Sequence, residues 1–242
     1  MARAMDSRRV AYLKALDVDV WERRGLAPAP VAPAAAVAAP APAAQPGDTQ
    51  LGWAELERAV KDCTLCPLHQ TRTQGVFGVR NRNAQWMVIG EAPGADEDRQ
   101  GEPFVGRAGQ LLNSMLQAIG LARQQVFIAN ILKSRPPNNR DPRPEEVRAC
   151  LPYLFRQIEL VNPKLILCVG RIAAQTLLET DTSIGKLRGQ LHRIAGNRPM
   201  VVTYHPAYLL RSPGEKRKSW ADLLLALRTF EQLAGASPGV SS

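Results

Sequence analysis

The stretch that decides the fold is WMVIGEAPG, residues 86–94, in which an apolar run leads directly into a turn. The run predicts a short buried strand that ends at Gly90. Two glycines and a proline in the turn predict a tight, rigid loop whose backbone amides can approach a ligand closely. The turn lacks the Gly-Lys-Ser/Thr of a Walker loop and the G-x-G-x-x-G of a dinucleotide fingerprint, so neither nucleotide site is indicated.

Three further apolar runs follow along the chain and predict three more strands, at residues 126–132, 164–170 and 200–205. Segments in which apolar residues have helical spacing separate them, for example residues 106–120. This alternation predicts a mostly parallel sheet with helices on both faces. Sites in such sheets gather at the carboxyl ends of the strands, so the residues that follow each strand are the candidates for function.

The chain outside this pattern divides by composition. Residues 1–26 predict a short helical segment, and residues 27–47 are an Ala/Pro-rich stretch without a charged residue, which predicts a linker. The folded domain is expected over residues 48–235, with a disordered tail at 236–242. The N-terminal segment on its linker either docks on a protein partner or only adds reach.

The charge balance indicates the kind of partner. A formal net charge of +9 and an isoelectric point near 9.8 point to a polyanion, of which nucleic acid is the commonest. We find neither a signal peptide nor an apolar run long enough to span a membrane, so we expect a cytoplasmic protein, and a monomer. Thiols stay reduced there, and the pair Cys63 and Cys66 therefore suggests metal or redox chemistry more than a disulfide.

Three residues near the predicted strand ends have side chains suited to binding a base. Asn130 would sit in a strand, where an amide packs poorly but can read a base edge with its donor and acceptor. Phe104 lies in a Gly/Pro-flanked loop and is either a plug of the core or a platform on which a base stacks. His205 follows the fourth strand and is either structural or part of a site.

Two loops combine positive charge with shape. Basic residues of a proline-stiffened loop after the second strand are expected to contact DNA: Lys133, Arg135 and Arg140. After His205, the apolar pair Leu209 and Leu210 precedes Arg211 and predicts a wedge that inserts into a nucleic-acid stack. The alternative for the two leucines is that they only pack as the start of a helix.

Taken in order, four motifs resemble the family 4 uracil-DNA glycosylases: GEAPGADEDRQGEPFVGRAGQLL, NILKSRPPNNR, EVRACLPYL and HPAYLL. The resemblance covers about Trp53 to Phe230. It implies a three-layer α/β/α sandwich around a four-stranded parallel sheet. It also implies an enzyme that flips deoxyuridine out of single- or double-stranded DNA and hydrolyses the bond between uracil and its sugar, leaving an abasic site.

The resemblance also implies roles for individual residues. Phe104 would stack on the uracil, and Asn130 would pair with its edge, in a polarity that disfavours cytosine. His205 would donate a hydrogen bond to the O2 atom as negative charge develops on the departing base.

The turn after the first strand would complete this site. Gly90 and Ala92 would contribute to substrate binding through the backbone of the turn, whose amides add donors. Glu91 would support the sugar cation or orient the attacking water. In family 1 enzymes an Asp lies at the position that Ala92 occupies here, so two explanations stay open: Glu91 replaces that Asp, or departure of the base needs little activation of water.

The resemblance implies a [4Fe–4S] cluster on four cysteines, of which this chain supplies Cys63, Cys66 and Cys150. Ser134 stands where the other ligand is expected, and an alkoxide is a harder and far less accessible ligand than a thiolate. Cys168 reads as a buried strand residue. Three outcomes remain, of which the cluster is favoured: a cluster with Ser134 or water at one iron, a zinc site that includes His69, or an empty site held by packing.

Two other functions stay open. The replacement at Ser134 motivates a non-catalytic DNA-binding module that has kept the fold. A covalent uracil-DNA binder is less favoured, because the related group that traps uracil carries a basic insertion with a histidine after the second strand, and SRPPNNRDP contains none.

Overall fold

The computed structural model describes residues 51–194 and 196–235. Within this part the strands are β1 (Val79–Arg80), β2 (Trp86–Gly90), β3 (Val126–Asn130), β4 (Leu165–Val169), β5 (Leu191–Ile194) and β6 (Arg198–Thr203). They form one sheet in the order β1-β3-β2-β4-β6-β5. The four central strands run parallel, and the edge strands β1 and β5 pair antiparallel with β3 and β6.

The helices of the described part are α1 (Trp53–Lys61), α2 (Ala95–Gln100), α3 (Arg107–Ala118), α4 (Pro144–Val161), α5 (Arg171–Leu178), α6 (Ile184–Leu187), α7 (Pro206–Arg211) and α8 (Lys216–Gly235). They cover both faces of the sheet, because the side chains of a strand alternate between its faces. Among these helices, none combines the length and the apolar content that a bilayer crossing requires.

Every residue of β2, β3 and β4 is buried, as expected for parallel strands covered on both faces. On one face Met87 and Ile166 belong to a core with residues of α1, α4 and α5. On the other face Val88 and Val201 belong to a core with residues of α3, α7 and α8. Each fully buried aliphatic side chain contributes roughly 1.5–3 kcal/mol relative to an exposed one, so the two cores together account for most of the fold's stability.

The structure confirms the α/β class and the four parallel strands, and it corrects the strand count. The strands β1 and β5 were missed because a two-residue strand and a partly exposed edge strand carry no continuous apolar run. The runs at 126–132 and 200–205 extend past the strand ends into the loops, whereas β3 ends at Asn130 and β6 at Thr203. Boundaries of this kind depend on backbone pairing, which the apolar pattern does not report.

Most of the predicted domain limits fall outside the residues that the structure describes. The segment 1–26, the linker 27–47 and the tail 236–242 lie outside the described residues, as do residues 48–50 at the expected start of the domain. The helix α1 begins at Trp53, after Gly52. The Glu55 carboxylate accepts a 2.8 Å hydrogen bond from the Gly52 backbone N–H, which satisfies a donor at the helix start.

Candidate active site

A cleft of about 700 Å³ opens at the carboxyl ends of the parallel strands. Residues that follow β2, β3, β4 and β6 line it, as expected for a parallel sheet. The predicted site residues that it brings together are Glu91, Ala92, Phe104, Asn130, Arg140, His205 and Arg211. Its volume exceeds that of a single base, so a base together with its sugar and phosphate can be accommodated.

The deep corner of the cleft is built around Gly90, the last residue of β2, which pairs with Asn130 at the end of β3. A Cβ at position 90 would lie 2.5 Å from both Asn130 Oδ1 and Phe104 Cζ, too close for either contact. Glycine is therefore required here to let the aromatic ring and the amide approach each other over the backbone. The sequence prediction that these three residues form one site agrees with this geometry.

Asn130 holds an acceptor ready for a ligand. Its side chain is 2% exposed, and among the described residues its Oδ1 atom is buried without a hydrogen-bond partner. A buried polar atom left unpaired costs about 1–3 kcal/mol, and such atoms in native structures call for an explanation. Since Asn130 lines the cleft, this atom is placed to accept a hydrogen bond from a bound ligand.

The Phe104 loop is held in an uncommon conformation. Phe104 has a φ of 55°, in the left-handed region that non-glycine residues seldom adopt. A Cβ at position 109, in the first turn of α3, would lie 1.8 Å from the Phe104 carbonyl oxygen, so Gly109 permits this approach. The ring packs beside the His205 ring, with centroids 5.6 Å apart and planes tilted by 30°. Backbone strain at a cleft residue is typical of a functional site.

Glu97 organises this loop and was not among the sequence predictions. Its carboxylate accepts hydrogen bonds from the backbone N–H groups of Val105 at 2.9 Å, Gly106 at 3.1 Å and Gly94 at 3.1 Å. It therefore ties the turn after β2 to the loop that carries Phe104. The spacing of Gly94 and Glu97, three residues apart at the start of α2, is a capping signal that could have pointed to it.

His205 is the N-cap of α7, and its Nδ1 atom accepts a 3.1 Å hydrogen bond from the Ala207 backbone N–H. Burial, together with the positive charge of Arg211, lowers the pKa of His205 to about 4. The ring is therefore neutral at physiological pH. Because Nδ1 is occupied as an acceptor, the single ring proton is on Nε2, which makes that atom a hydrogen-bond donor.

Glu91 has an unusual acidity for a carboxyl group. Burial and the nearby Asp141 carboxylate raise its pKa to about 7, and the guanidinium of Arg171 opposes this shift. Asp141 and Arg171 themselves form a 3.0 Å ion pair on the wall of the cleft. A carboxyl group with a pKa near 7 can accept or hold a proton at physiological pH.

Four of the six residues predicted to contact DNA are at least partly exposed. Arg211 and Leu210 are exposed, and Arg135 and Arg140 are partly exposed beside the cleft. Arg140 also forms a two-pronged ion pair with the buried Glu146, at 2.5 and 2.9 Å, which holds the loop after β3 in place.

Two of the DNA predictions are wrong for this structure. The Lys133 side chain is buried, and its Nζ donates to the Asn130 backbone oxygen at 2.8 Å and to Gln157 Oε1 at 2.6 Å. Burial lowers the pKa of Lys133 to about 7. Leu209 is 1% exposed and packs in the core beneath α7, so only Leu210 is available as a wedge. The sequence could not separate them, because a basic loop and a leucine pair do not state which side chain points inward.

The cysteine region comprises Cys63, Cys66, Cys150 and Ser134, which the structure brings close to one another. Cys150 Sγ accepts a 3.5 Å hydrogen bond from the Lys133 backbone N–H, and the Cys66 and Cys150 side chains interact with each other. Ser134 is buried beside them. The four positions therefore lie in one region of the fold.

The chemistry of this donor set does not fit a cluster held by four thiolates. The region offers three thiols and one hydroxyl, and the Ser134 Oγ already accepts a 2.7 Å hydrogen bond from Arg72 Nη1. In the described part of the chain, no three His, Cys, Asp or Glu side chains are grouped so that they could hold a metal ion. This also leaves the zinc set with His69 unassembled. Cys168 is fully buried in β4, as expected of a core residue.

Comparison with known proteins agrees with this geometry. The sequence pattern of the family described as "Uracil DNA glycosylase superfamily" matches residues 77–225. A protein named type-4 uracil-DNA glycosylase from Archaeoglobus fulgidus is 48% identical over 166 residues, which cover 66% of this chain and 83% of the relative. A protein of the same name from Pyrobaculum aerophilum is 44% identical over 71% of this chain and 91% of its own length. Another, from Thermotoga maritima, is 46% identical over 63% of this chain and 80% of its own length. The chain therefore belongs to the uracil-DNA glycosylase superfamily and, within it, to the type-4 uracil-DNA glycosylases.

Proposed function

We propose that the cleft receives a uracil base turned out of DNA, and that the chain hydrolyses the bond between this base and its deoxyribose. The observation that carries the proposal is the unpaired Oδ1 of Asn130, which lines the cleft beside the Phe104 ring. The relatives named type-4 uracil-DNA glycosylase support the same substrate. Extrusion of a base costs a few kcal/mol of lost stacking and pairing, which contacts in the cleft must offset.

Base selection rests on the polarity of the Asn130 amide. Its Oδ1 accepts a hydrogen bond from the uracil N3–H, and its amide nitrogen donates to O4. Cytosine presents an acceptor at N3 and a donor at N4, so both contacts would oppose like groups. The Phe104 ring, held by its loop, offers its face to the base, and stacking of this kind contributes about 1–3 kcal/mol per base.

Departure of the base is assisted by His205. As the bond to the sugar breaks, negative charge develops on uracil, and the Nε2–H of the neutral imidazole donates to the O2 atom. The hydrogen bond from Ala207 to Nδ1 keeps the ring in the tautomer that carries this donor. The donor is in place before the reaction, so its contribution grows with the developing charge.

Glu91 acts on the sugar side of the breaking bond. It follows Gly90 directly, and its carboxylate stabilises the oxocarbenium-like sugar or orients the attacking water. Glu91 takes this part because the neighbouring Ala92 has no functional group. The donor set of the cysteine region is one thiolate short, and no step of this reaction is assigned to iron.

The surface around the cleft binds the DNA strand. Arg135, Arg140 and Arg211 contact phosphates, and Leu210 enters the space that the extruded base leaves in the stack. This arrangement suits a monomer that works on single- or double-stranded DNA in the cytoplasm.

Oligonucleotides with a single uracil provide the test. The purified chain is incubated with single- and double-stranded forms, and free uracil and alkali-sensitive abasic sites are measured. Release of uracil is expected from both forms. In Asn130→Ala the rate falls about 10- to 100-fold, since a buried hydrogen bond to the base is lost. Asn113→Ala, which removes an acceptor for Arg123 outside the cleft, serves as the matched control.

Other outcomes would contradict the proposal. Salt-dependent binding without uracil release would identify a non-catalytic DNA-binding module. A protein–DNA band that survives denaturation would identify a covalent trap. If Asn130→Ala retained the wild-type rate, the base would be read elsewhere.

A further inference from the structure

The loop after β3 carries a hydroxyl at the position where the family resemblance implies a thiolate. Ser134 is 3% exposed, and its Oγ accepts a 2.7 Å hydrogen bond from Arg72 Nη1. A serine ligates iron as an alkoxide, and its hydroxyl is far less acidic than a thiol. The bond from Arg72 takes one of the two acceptor lone pairs of this hydroxyl. The Ser134 side chain is thus a hydrogen-bond partner of Arg72 in this structure.

Arg72 joins two of the three chain segments that a cluster in this place would join, the segment of the cysteine pair and the loop after β3. Its Nη2 donates to the Lys61 oxygen at 2.7 Å and to the Cys63 oxygen at 2.9 Å, and Nη1 also approaches the Val60 oxygen at 3.4 Å. The end of α1, the beginning of the cysteine pair and the loop after β3 are therefore held by one guanidinium. Its planar fork of donors suits this arrangement, which a lysine could not reproduce.

The three thiols of the region also have protein partners. The Lys133 backbone N–H donates to Cys150 Sγ at 3.5 Å, and the Cys66 and Cys150 side chains interact with each other. The Tyr153 hydroxyl interacts with Cys63. Each sulfur is accommodated by neighbouring groups of the chain, as expected of structural cysteines that behave as small apolar residues.

From these contacts we propose that Arg72 and Ser134 close the cysteine region in place of a metal, and that this chain folds without an iron–sulfur cluster. The proposal reverses the expectation drawn from the family resemblance. Its tests use metal content and thermal unfolding, so their outcome does not depend on whether the chain releases uracil.

Metal content gives the first test. The full chain and its Ser134→Cys variant are purified anaerobically from the same iron-replete host, and iron, acid-labile sulfide and visible absorption are measured. The unmodified chain is expected to hold neither iron nor sulfide in stoichiometric amount. The variant, which restores four cysteines, is expected to bind about four iron and four sulfide per chain.

Two results would overturn the proposal. One is stoichiometric iron and sulfide in the unmodified chain. The other is a Ser134→Cys variant that stays free of iron, because the residue at position 134 would then not be what excludes the cluster.

Thermal unfolding gives the second test. Arg72→Leu is expected to lower Tm by about 5–10 °C, because charge-assisted hydrogen bonds to three segments are lost. Arg58 is an exposed arginine of α1, so the control variant Arg58→Leu should have the same Tm as the unmodified chain. Should Arg72→Leu fail to fold, Arg72→Lys keeps the charge without the fork and is expected to show a smaller loss. Wild-type melting in both Arg72 variants, or a lower Tm of the unmodified chain after treatment with an iron chelator, would overturn the proposal.

Discussion

The cleft and the cysteine region both include residues of the loop after β3. The cleft contains the residues that the family resemblance implies, whereas the cysteine region lacks one of the four implied thiolates. In the cleft, Phe104, Asn130 and His205 meet with an acceptor and a donor ready for a base. Four residues beyond Asn130, Ser134 stands where a thiolate is implied. The difference indicates that the geometry of the cleft depends on the sheet and its turns, and that the cysteine region holds the chain together.

The two regions meet at Lys133. Its buried ammonium donates to the Asn130 backbone oxygen, and its own backbone N–H donates to Cys150 Sγ. If the comparison holds, substitutions in the cleft mainly change the rate of uracil release and have smaller effects on stability. Substitutions near the cysteines do the reverse, and Lys133 affects both.

His205→Leu is expected to give the largest effect. Loss of a preorganised donor to the developing anion lowers the single-turnover rate of uracil release about 10²- to 10³-fold. The free energy of unfolding should fall by about 0.5–2 kcal/mol, because the Ala207 backbone N–H at the start of α7 loses its side-chain cap. His192→Leu is the control, since His192 lies on the edge strand β5 and its ring contacts the Leu187 carbonyl oxygen of α6. A rate within threefold of wild type would remove His205 from the mechanism.

Glu91→Gln is expected to act through pH. The pKa of Glu91 is about 7, so the active carboxylate is lost as the pH falls through 7, and the wild-type rate should decline there. With a pKa of about 4, His205 stays neutral and adds no limb above pH 5. The variant should lose this decline and be about 10²-fold slower at pH 8.

Glu102→Gln controls for loss of a carboxylate, because Glu102 pairs with Arg80 outside the cleft. An acidic limb that persists in Glu91→Gln would assign it to another group. The same pKa shift has a consequence for stability. Because folding raises the pKa of Glu91 from 4.5 to about 7, the unfolded chain ionises first, and the variant should gain stability relative to wild type as the pH rises from about 4.5 to 7, with no further gain above 7.

Lys133→Met tests the link between the two regions. The methionine fills most of the space but leaves the Asn130 oxygen and Gln157 Oε1 without their donor, at a cost of about 1–3 kcal/mol each. Denaturant unfolding should show this loss, and the KM for uracil DNA should rise because the end of β3 is less firmly held. Lys164→Met, at an exposed position before β4, is the control. Unchanged stability together with unchanged KM would separate the regions completely.

Leu210→Ala is expected to give the smallest effect. Removal of an exposed apolar wedge should weaken binding to double-stranded uracil DNA a few-fold and leave binding to single strands unchanged. Leu209→Ala is the contrasting variant, because this buried neighbour should lose about 2–5 kcal/mol of stability. Equal losses on single and double strands would contradict a wedge at Leu210.

Much of this could be predicted from the sequence, for physical reasons that differ between residues. The strands β2, β3 and β4 were found because parallel strands buried on both faces read as continuous apolar runs. Glu91, Asn130 and His205 could be singled out because they lie at the end of such runs or directly after them. The edge strands carry no such pattern and were missed.

Other features depend on side-chain direction, which spacing does not report. Lys133 was assigned to DNA because it lies in a basic loop, but its ammonium points inward to Asn130 and Gln157. Glu97 was missed because its role is to accept backbone N–H groups from a loop eight residues away. Arg72 and Ser134 are 62 positions apart in the chain, so no local sequence pattern could have predicted the hydrogen bond between them.

If the hydrogen bond between Arg72 and Ser134 takes the place of a cluster, it has a consequence for the cell. An enzyme whose cysteines need no iron can be made at full strength when iron is scarce, and oxidants cannot inactivate it by dismantling a cluster. Removal of deaminated cytosine would then continue through iron starvation and oxidative stress, the conditions in which enzymes that depend on a cluster lose their cofactor.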